Sequence, residues 1–292
     1  MTDQVSPILT PTNAPERFFI IGAQKAGTTS LYEYLATHPD IFASPIKETK
    51  FFLRGNPPAE AVTRYRAMFD GRSTERWAFE ASPHYTQHPH HTGVPARIHE
   101  AFPNARLIYI LRHPIERIYS HYLFRLSKPD KGEHREFDAA VAGNPLYLDT
   151  SRYYAQLSQY FGLFPRDRIL VLFFEELAAS PQATVRQVFT FLEVDDTFEP
   201  PNIGRVYRDT KERTMMSPTL RRIGRKAWYG YLPWQVRRWA RRRFRTRPPT
   251  VAEIFTPDSY NRLHRLLRDD VAKLQDYLQR ELPWDFPRSK YE

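Results

Sequence analysis

Residues 18–31, FFIIGAQKAGTTSL, constrain the fold more than any other segment. They combine an apolar strand, a turn bounded by Gly22 and Gly27, and the start of a helix. The two glycines keep the spacing of a nucleotide-triphosphate loop, in which a lysine directly follows the second glycine. Here Thr28 stands in that position, and the lysine, Lys25, lies inside the loop. The segment therefore predicts a strand-to-helix junction that binds an anion but suits MgATP poorly.

Several hydrogen-bond donors converge where this helix begins. Backbone amides and the positive end of the helix dipole favour an anion at a helix N-terminus. The lysine adds a full charge, and three hydroxyl side chains follow it. The alternative is that the glycine turn only connects strand and helix tightly. The proposed anion-binding residues are Lys25, Ala26, Gly27, Thr28, Thr29 and Ser30.

A second block, residues 105–122, reads ARLIYILRHPIERIYSHY. It predicts a buried strand that ends in Arg112, followed by a helix with Pro114 in its first turn. Ser120 lies two turns along that helix, so both side chains are expected to reach one phosphate. Their alternatives are a surface salt bridge for the arginine and simple exposure for the serine. Arg117 is expected to face solvent.

The two blocks resemble the sulfotransferases that use 3′-phosphoadenosine 5′-phosphosulfate (PAPS). The first is similar to that family's 5′-phosphosulfate motif and the second to its 3′-phosphate motif. The resemblance extends over residues 18–284 and implies sulfuryl transfer without a metal, leaving 3′,5′-bisphosphoadenosine (PAP). It implies that Lys25 acts at the bridging oxygen. It also makes Arg205, in a loop that returns over the nucleotide, a second 3′-phosphate ligand; the alternative is an ordinary solvated arginine.

Residues 45–52, PIKETKFF, resemble the Glu-x-x-Phe-Phe segment of heparan-type glycosaminoglycan sulfotransferases. In those enzymes the glutamate deprotonates the acceptor, and Glu48 matches it. An unperturbed glutamate, with a pKa of about 4.3, is a weak base for a hydroxyl, so burial would have to raise its pKa. The alternative is that Glu48 pairs with Lys47 or Lys50 at the surface.

His84 is the rival base, because cytosolic small-molecule sulfotransferases use a histidine. A histidine at this position can also be merely exposed, or cap a helix. Ala81 departs from the heparan-type pattern, where a lysine often precedes the Ser-Pro pair. This difference weakens the expectation that the acceptor is already highly sulfated.

Short apolar segments alternate with helical periodicity along the chain, which predicts an α/β fold. We expect a P-loop-like parallel sheet flanked by helices on both faces, forming one domain over residues 16–292. Ser180 is expected to cap a helix that begins at Pro181. Residues 1–15 are expected to be a flexible leader and residues 195–255 a loop-rich, basic insertion or lid. The strands are predicted at 18–23, 41–43, 77–80, 106–111 and 168–173, and the helices at 28–37, 59–69, 91–102, 115–126, 152–164, 181–192 and 256–282.

The charge is unevenly distributed. The 292 residues carry a net charge of +10 and no cysteine. Residues 221–247 contain 11 Arg or Lys and no Asp or Glu, whereas the rest of the chain has 32 basic and 33 acidic residues. Aromatic residues at helical spacing after Pro233 predict a basic amphipathic helix. We expect either a solvated lid or a contact with an anionic glycan or an anionic membrane surface, and no contact with nucleic acid.

The sequence predicts a PAPS-dependent sulfotransferase that acts on a hydroxyl, or as second choice an amine, of a glycan or glycolipid. The alternatives are a small-molecule sulfotransferase with a histidine base, a small-molecule kinase with a degenerate phosphate loop, and an inactive glycan-binding module. The chain has no apolar run long enough to span a membrane and no signal pattern at residue 1. We therefore expect a cytoplasmic, bacterial protein, peripheral to the inner membrane face if the basic segment binds lipid.

Overall fold

Five parallel strands form the central sheet, in the order β2-β3-β1-β4-β5. The strands are β1 Glu16–Gly22, β2 Ile41–Ala43, β3 Trp77–Ala81, β4 Arg106–Leu111 and β5 Ile169–Phe173. Strand β1 lies at the centre of the sheet, with β3 and β2 on one side and β4 and β5 on the other, so the direction in which strands are added changes at β1. In such sheets ligands bind beyond the carboxyl ends of the strands at this switch point. The computed structural model describes residues 16–55, 57–71, 74–127, 133, 135–207, 215–216, 231, 233–243, 245–246, 249–250, 254, 256–284 and 286.

Alternate residues of the central strands enter two separate cores. In β1, Phe19 and Ile21 belong to one core, and Phe18 and Ile20 belong to the other. Successive side chains of a strand point to opposite faces, so a strand that is apolar throughout needs cover on both sides. The prediction of an α/β domain with helices on both faces is thereby confirmed.

Helices α1, α8 and α9 cover one face of the sheet, and α3, α4 and α7 cover the other together with a long helix near the end of the chain. Their bounds are α1 Thr28–Leu35, α2 Ala59–Ala67, α3 Val94–Ala101, α4 Pro114–Leu126, α5 Phe137–Ala142, α6 Leu146–Asp149, α7 Tyr153–Leu157, α8 Phe174–Ala179, α9 Pro181–Leu192 and the long helix Pro257–Leu278. Short 3₁₀ turns occupy Phe51–Leu53 and Arg166–Arg168.

Two helices end at least four residues before their predicted ends. The helix expected over residues 152–164 ends at Leu157, and turns follow in which backbone amides donate to carbonyls three residues back. The Tyr160 hydroxyl then donates to the carbonyl of Tyr85 at 2.8 Å, so this stretch serves to close the core. The long helix ends at Leu278 because Gln279 adopts left-handed backbone angles with φ at 54°.

Two helices begin at prolines that mark their starts in the sequence. Pro114 and Pro181 both occupy the first turn of their helices, as predicted. The prediction that Ser180 is the N-cap of α9 is confirmed, although its hydroxyl makes no capping hydrogen bond. Its backbone, with φ at −142° and ψ at 72°, also ends α8, and the bend between two consecutive helices sets its geometry.

Almost half of the predicted insertion at residues 195–255, and the whole of the predicted leader at residues 1–15, lie outside the described residues. Within the described part, Trp234–Arg243 forms the helix predicted after Pro233, here called the arginine-rich helix. A two-residue strand, Met215–Met216, pairs antiparallel with Arg245–Thr246 just after it. Among the described residues, no helix has the length and apolar character needed to cross a membrane.

Candidate active site

The loop between β1 and α1 is attached to the neighbouring strand. The Ala23 amide donates to the carbonyl of Ile110, in β4, at 2.7 Å. Lys25 and Gly27 both have positive φ, 75° and 91°. A Cβ atom on Gly27 would lie 2.8 Å from Cδ2 of Phe174, so glycine is required by backbone angle and by space.

Gly27 also begins α1 and has no side chain to cap it. The first turn carries no acidic residue, and its hydroxyl side chains are Thr28, Thr29 and Ser30. Uncapped amides at a helix N-terminus bind anions from outside the chain. The loop and the first turn of α1 thus present uncapped backbone amides and three hydroxyl side chains at one end of the helix.

Lys25 points from this loop toward α4. Its Nζ lies 4.9 Å from the centroid of the Phe124 ring. Its charge also contributes, after burial and the neighbouring arginines, to holding the pKa of His121 well below its usual range. The lysine of the first motif thus faces the helix that carries Ser120 of the second.

Arg112 leaves the end of β4 and lies over the ring of Phe174, with its guanidinium carbon 4.8 Å from the ring centroid. One guanidinium nitrogen pairs with Glu116 at 3.2 Å, whereas Nε is buried and makes no hydrogen bond within the described structure. Tyr153 donates to the Arg112 carbonyl at 2.7 Å, which fixes the corner. The unused donor gives the guanidinium capacity for a further acceptor.

Ser120 is 2% exposed, so it is not the exposed helical serine of the alternative reading. It shares a helix face with Leu123, which is also buried.

Arg117 contradicts the expectation that it faces solvent. It is completely buried, and its guanidinium donates to Ser151 Oγ at 2.6 Å and to the carbonyls of Tyr147 and Gln24, the latter at 3.5 Å. Burial lowers its pKa to about 10, which leaves it charged near neutral pH. The available signal was its spacing: residues three apart share a helix face, so a Ser120 that faces inward implies an inward Arg117.

The loop that carries Arg205 returns to α1. The Arg205 carbonyl accepts from the Tyr34 hydroxyl at 2.7 Å, and the Tyr207 amide donates to Ser30 Oγ at 3.3 Å. Asn202 further donates to the carbonyl of Glu33 at 2.9 Å. These bonds bring the loop to α1. The Arg205 side chain itself is exposed and lies over the Tyr207 ring.

Glu48 lies at the carboxyl end of β3, where its amide donates to the Ala81 carbonyl at 3.0 Å. Its backbone is left-handed, with φ at 64°. Its carboxylate lies 3.5 Å from Lys47 Nζ, the ion pair that the alternative reading expected. The side chain is 30% exposed, so the pair lies partly within the protein.

His84 is close to this carboxylate. Burial, followed by the charge of Lys50, lowers the pKa of His84 to about 4, whereas the charge of Glu48 acts in the opposite direction. The imidazole is therefore neutral near pH 7, and its buried Nδ1 has no hydrogen-bond partner in the described structure. The two rival bases thus belong to one cluster at the end of β3.

A buried glutamate next to this cluster, Glu80, is not among the site residues predicted from the sequence. Glu80 is completely buried and accepts hydrogen bonds from four hydroxyl groups around it. A glutamate inside an apolar strand, WAFEA, is a visible signal, since buried acids require partners. Among the described residues, no three His, Asp or Glu side chains gather as metal ligands would.

Known proteins share both sequence and fold with this chain. The sequence pattern of the Sulfotransferase family matches residues 53–200, about half of the chain. A crystal structure of a sulfotransferase from Alicyclobacillus acidocaldarius is 28% identical, covers 94% of this chain and 100% of its own, and superposes with a TM-score of 0.66.

Two curated mouse (Mus musculus) relatives match over a shorter region. Bifunctional heparan sulfate N-deacetylase/N-sulfotransferase 4 is 29% identical over 197 residues, which is 61% of this chain and 22% of the relative. Heparan sulfate glucosamine 3-O-sulfotransferase 6 is 31% identical over 181 residues, 59% of this chain and 51% of the relative. The chain thus spans about a fifth to a half of the length of these relatives. With the family pattern matched across half of its residues, the chain belongs to the sulfotransferase family.

Proposed function

We propose that this protein transfers a sulfuryl group from PAPS to a hydroxyl group of a glycan. The observation that carries the proposal is that two cationic strand-to-helix junctions meet at one ring. Gly27 of the Lys25 loop and the guanidinium of Arg112 both lie against Phe174. PAPS carries anionic groups at both ends of its ribose, so a donor site needs two separate but adjacent anion sites.

The donor-binding roles follow from position and charge. The loop amides with Thr28 and Thr29 hold the 5′-phosphate, and Lys25 stabilises the negative charge that develops on the bridging oxygen. Arg112 and Ser120 hold the 3′-phosphate, for which the unused Arg112 Nε provides a donor. Ala26, Gly27 and Ser30 complete the loop, and Arg205 approaches from the returning segment.

The reaction needs a proton acceptor at the end of β3. The acceptor oxygen forms a bond to sulfur, the bond between sulfur and the bridging oxygen breaks, and PAP leaves with that oxygen. The hydroxyl proton passes to the Glu48 carboxylate. His84, uncharged near pH 7, is the alternative base. The neighbouring Lys47 and Lys50 stabilise the anionic groups of donor or acceptor.

A glycan acceptor is favoured by the two heparan sulfate enzymes among the relatives. A glycolipid would present the same hydroxyl chemistry. A small-molecule acceptor with His84 as base remains the second candidate, because His84 lies in the same cluster as Glu48. An amine of the glycan is the second choice of acceptor group, after a hydroxyl.

Transfer of labelled sulfate tests the function directly. Purified protein is incubated with ³⁵S-labelled PAPS and EDTA, with unsulfated and N-sulfated heparosan, glycolipid extracts and simple phenols offered separately. We expect label in a glycan product. Lys25→Met should abolish it, whereas Arg186→Gln, on the exposed face of α9, should not. Labelling of phenols alone would assign the small-molecule type. Binding of MgATP with no binding of PAP would point to the kinase, and glycan binding without transfer to an inactive module.

A further inference from the structure

The carboxyl group of Glu80 lies at the centre of four hydroxyl groups. Tyr85 and Tyr65 donate to Oε1 at 2.8 and 3.4 Å, and Ser82 and Thr49 donate to Oε2, Ser82 at 3.3 Å. An ionised carboxylate only accepts, and its two oxygens offer about four acceptor positions. Although burial raises the pKa of Glu80, all four hydroxyls act against that effect. The four hydroxyl donors therefore match the number of hydrogen bonds that a buried carboxylate can accept.

Three of these hydroxyls also hold the segment that displays Glu48. Ser82 Oγ accepts from the Lys50 amide at 3.1 Å, and Thr49 Oγ1 accepts from the Phe51 amide at 3.3 Å. The Tyr85 hydroxyl accepts from the Phe52 amide at 3.3 Å. Each hydroxyl donates its proton to Glu80 and turns a lone pair toward the backbone. Glu80 thus fixes the direction in which three hydroxyls accept.

The segment needs such support because its backbone is strained. Glu48 and Lys50 both have left-handed φ, 64° and 57°. Residues other than glycine adopt this conformation at an energetic cost and keep it only where their surroundings impose it. Thr49, between them, is tied to Glu80 by its side chain. The same carboxylate is bonded to Ser82 and Tyr85, which flank His84 on either side.

We propose that Glu80 is a positioning residue that sets Glu48 and His84 in their reactive arrangement without touching the substrate. The assignment of these two as bases rests on the function proposed above. The geometric part, that Glu80 holds residues 48–52, does not depend on it. Misplacement of a catalytic group by about 1 Å can cost 10²-fold in rate, so an anchor of this kind has a measurable effect.

The test compares Glu80→Gln, Glu80→Ala and Thr49→Val with the matched control Tyr65→Phe. The control keeps the ring that stacks on Phe51 and removes only the longest of the four hydrogen bonds. The measurements are hydrogen exchange by mass spectrometry on a peptide covering residues 46–53, PAP affinity by calorimetry, and kcat and KM for sulfate transfer.

We expect Glu80→Ala and Thr49→Val to speed exchange of that peptide at least tenfold and to lower kcat by about tenfold to 10²-fold, with PAP affinity within twofold of wild type. Glu80→Gln should give a smaller change in the same direction, and Tyr65→Phe should stay near wild type. Unchanged exchange, or a loss of PAP affinity that parallels the loss of kcat, would overturn the proposal. If Glu80→Ala does not fold, the partly exposed Thr49→Val decides the question. If wild type transfers no sulfate, the function fails, while the exchange data still decide whether Glu80 holds the segment.

Discussion

Gly27 and Arg112 lie against the same aromatic ring, that of Phe174, although they come from two motifs 85 residues apart. Phe174 opens α8 directly after β5 and so lies at the carboxyl edge of the sheet. The close approach of Gly27 to this ring leaves no room for a side chain. The spacing between the two proposed phosphate sites is therefore set by one rigid group.

Arg112→Ala should remove the preference for PAP over AMP. Only PAP carries the 3′-phosphate, and hydrogen bonds to charged groups contribute about 1.5–3 kcal/mol each. Calorimetry in EDTA should thus show PAP affinity falling at least about tenfold, with AMP affinity nearly unchanged. Arg186→Gln is the control for loss of a positive charge. Equal affinities of the wild-type protein for PAP and AMP would contradict the assignment of Arg112 to the 3′-phosphate site.

Gly27→Ala should weaken PAP binding and lower thermal stability together. The new Cβ would lie 2.8 Å from the Phe174 ring at a φ of 91°, a conformation that costs a non-glycine residue about 1–2 kcal/mol. Gly162→Ala is the matched control, since no neighbouring atom lies within 4 Å of its added Cβ. Calorimetry and thermal unfolding check both variants. A Gly27→Ala protein with wild-type affinity and stability would show that the loop tolerates a side chain.

The fold was predictable because its signals are local and repeated. Apolar strands such as β1 and β4 must be covered on both faces, and Pro114 marks the start of α4. Helix ends were less predictable: α7 ends at Leu157 because of tertiary packing around Tyr160, which no periodicity encodes.

The charged loop residues of the candidate site follow from sequence motifs, whereas the burial of Arg117 and the hydrogen bonds of Glu80 do not. Arginine on a helix is usually solvated, so the sequence predicts a surface position for Arg117, and its buried acceptors come from two distant segments. Glu80 likewise obtains its four donors from residues 49–85, brought together only by the sheet. The left-handed backbone of Glu48 also leaves no mark in the sequence.

Glu48→Gln should lower turnover by roughly 10² or more, the usual scale for loss of a general base, with PAP affinity nearly intact. The glutamine amide is nearly isosteric with the carboxylate but cannot accept a proton near neutral pH. His84→Gln should reduce turnover less, because His84 would then act only as a neighbour. Steady-state transfer assays at saturating PAPS compare the two variants. The reverse ranking would make His84 the base and favour the small-molecule type.

His84 should also make stability depend on pH. Its folded pKa, about 4, lies below the unfolded value of 6.5, so the unfolded state binds the proton more readily. Stability from this group is present in full above pH 6.5 and is lost as pH falls toward 4. His84→Gln should flatten the decline in the free energy of unfolding over that window, measured by urea denaturation. His121, whose pKa is also lowered, should leave a residual slope.

Arg117→Met should destabilise the protein more than Ser151→Ala does. The first change leaves the carbonyls of Tyr147 and Gln24 and the Ser151 hydroxyl without their donor, at about 1–3 kcal/mol for each unsatisfied group. The second removes only one of these bonds, together with the hydrogen bond that Ser151 Oγ donates to the Pro114 carbonyl. Urea denaturation gives both values. A loss no larger for Arg117→Met than for Ser151→Ala would show that the buried cation contributes little to stability.

The arginine-rich helix should bind an anionic membrane surface. Trp234, Val236 and Trp239 are 57%, 43% and 60% exposed, and the surrounding segment, residues 221–247, has no acidic residue. Exposed aromatics beside basic residues are typical of interfacial helices, and such charges repel one another until counter-charges relieve them. A variant with four arginines changed to Gln should co-sediment less with phosphatidylserine vesicles and keep its PAP affinity. The four positions are Arg237, Arg238, Arg241 and Arg242. Wild-type binding should fall steeply with salt, since the Debye length is only about 8 Å near 0.15 M. Vesicle binding that resists both salt and the four substitutions would exclude a charge-driven contact, whereas a rise in the glycan KM alone would assign the arginines to the acceptor.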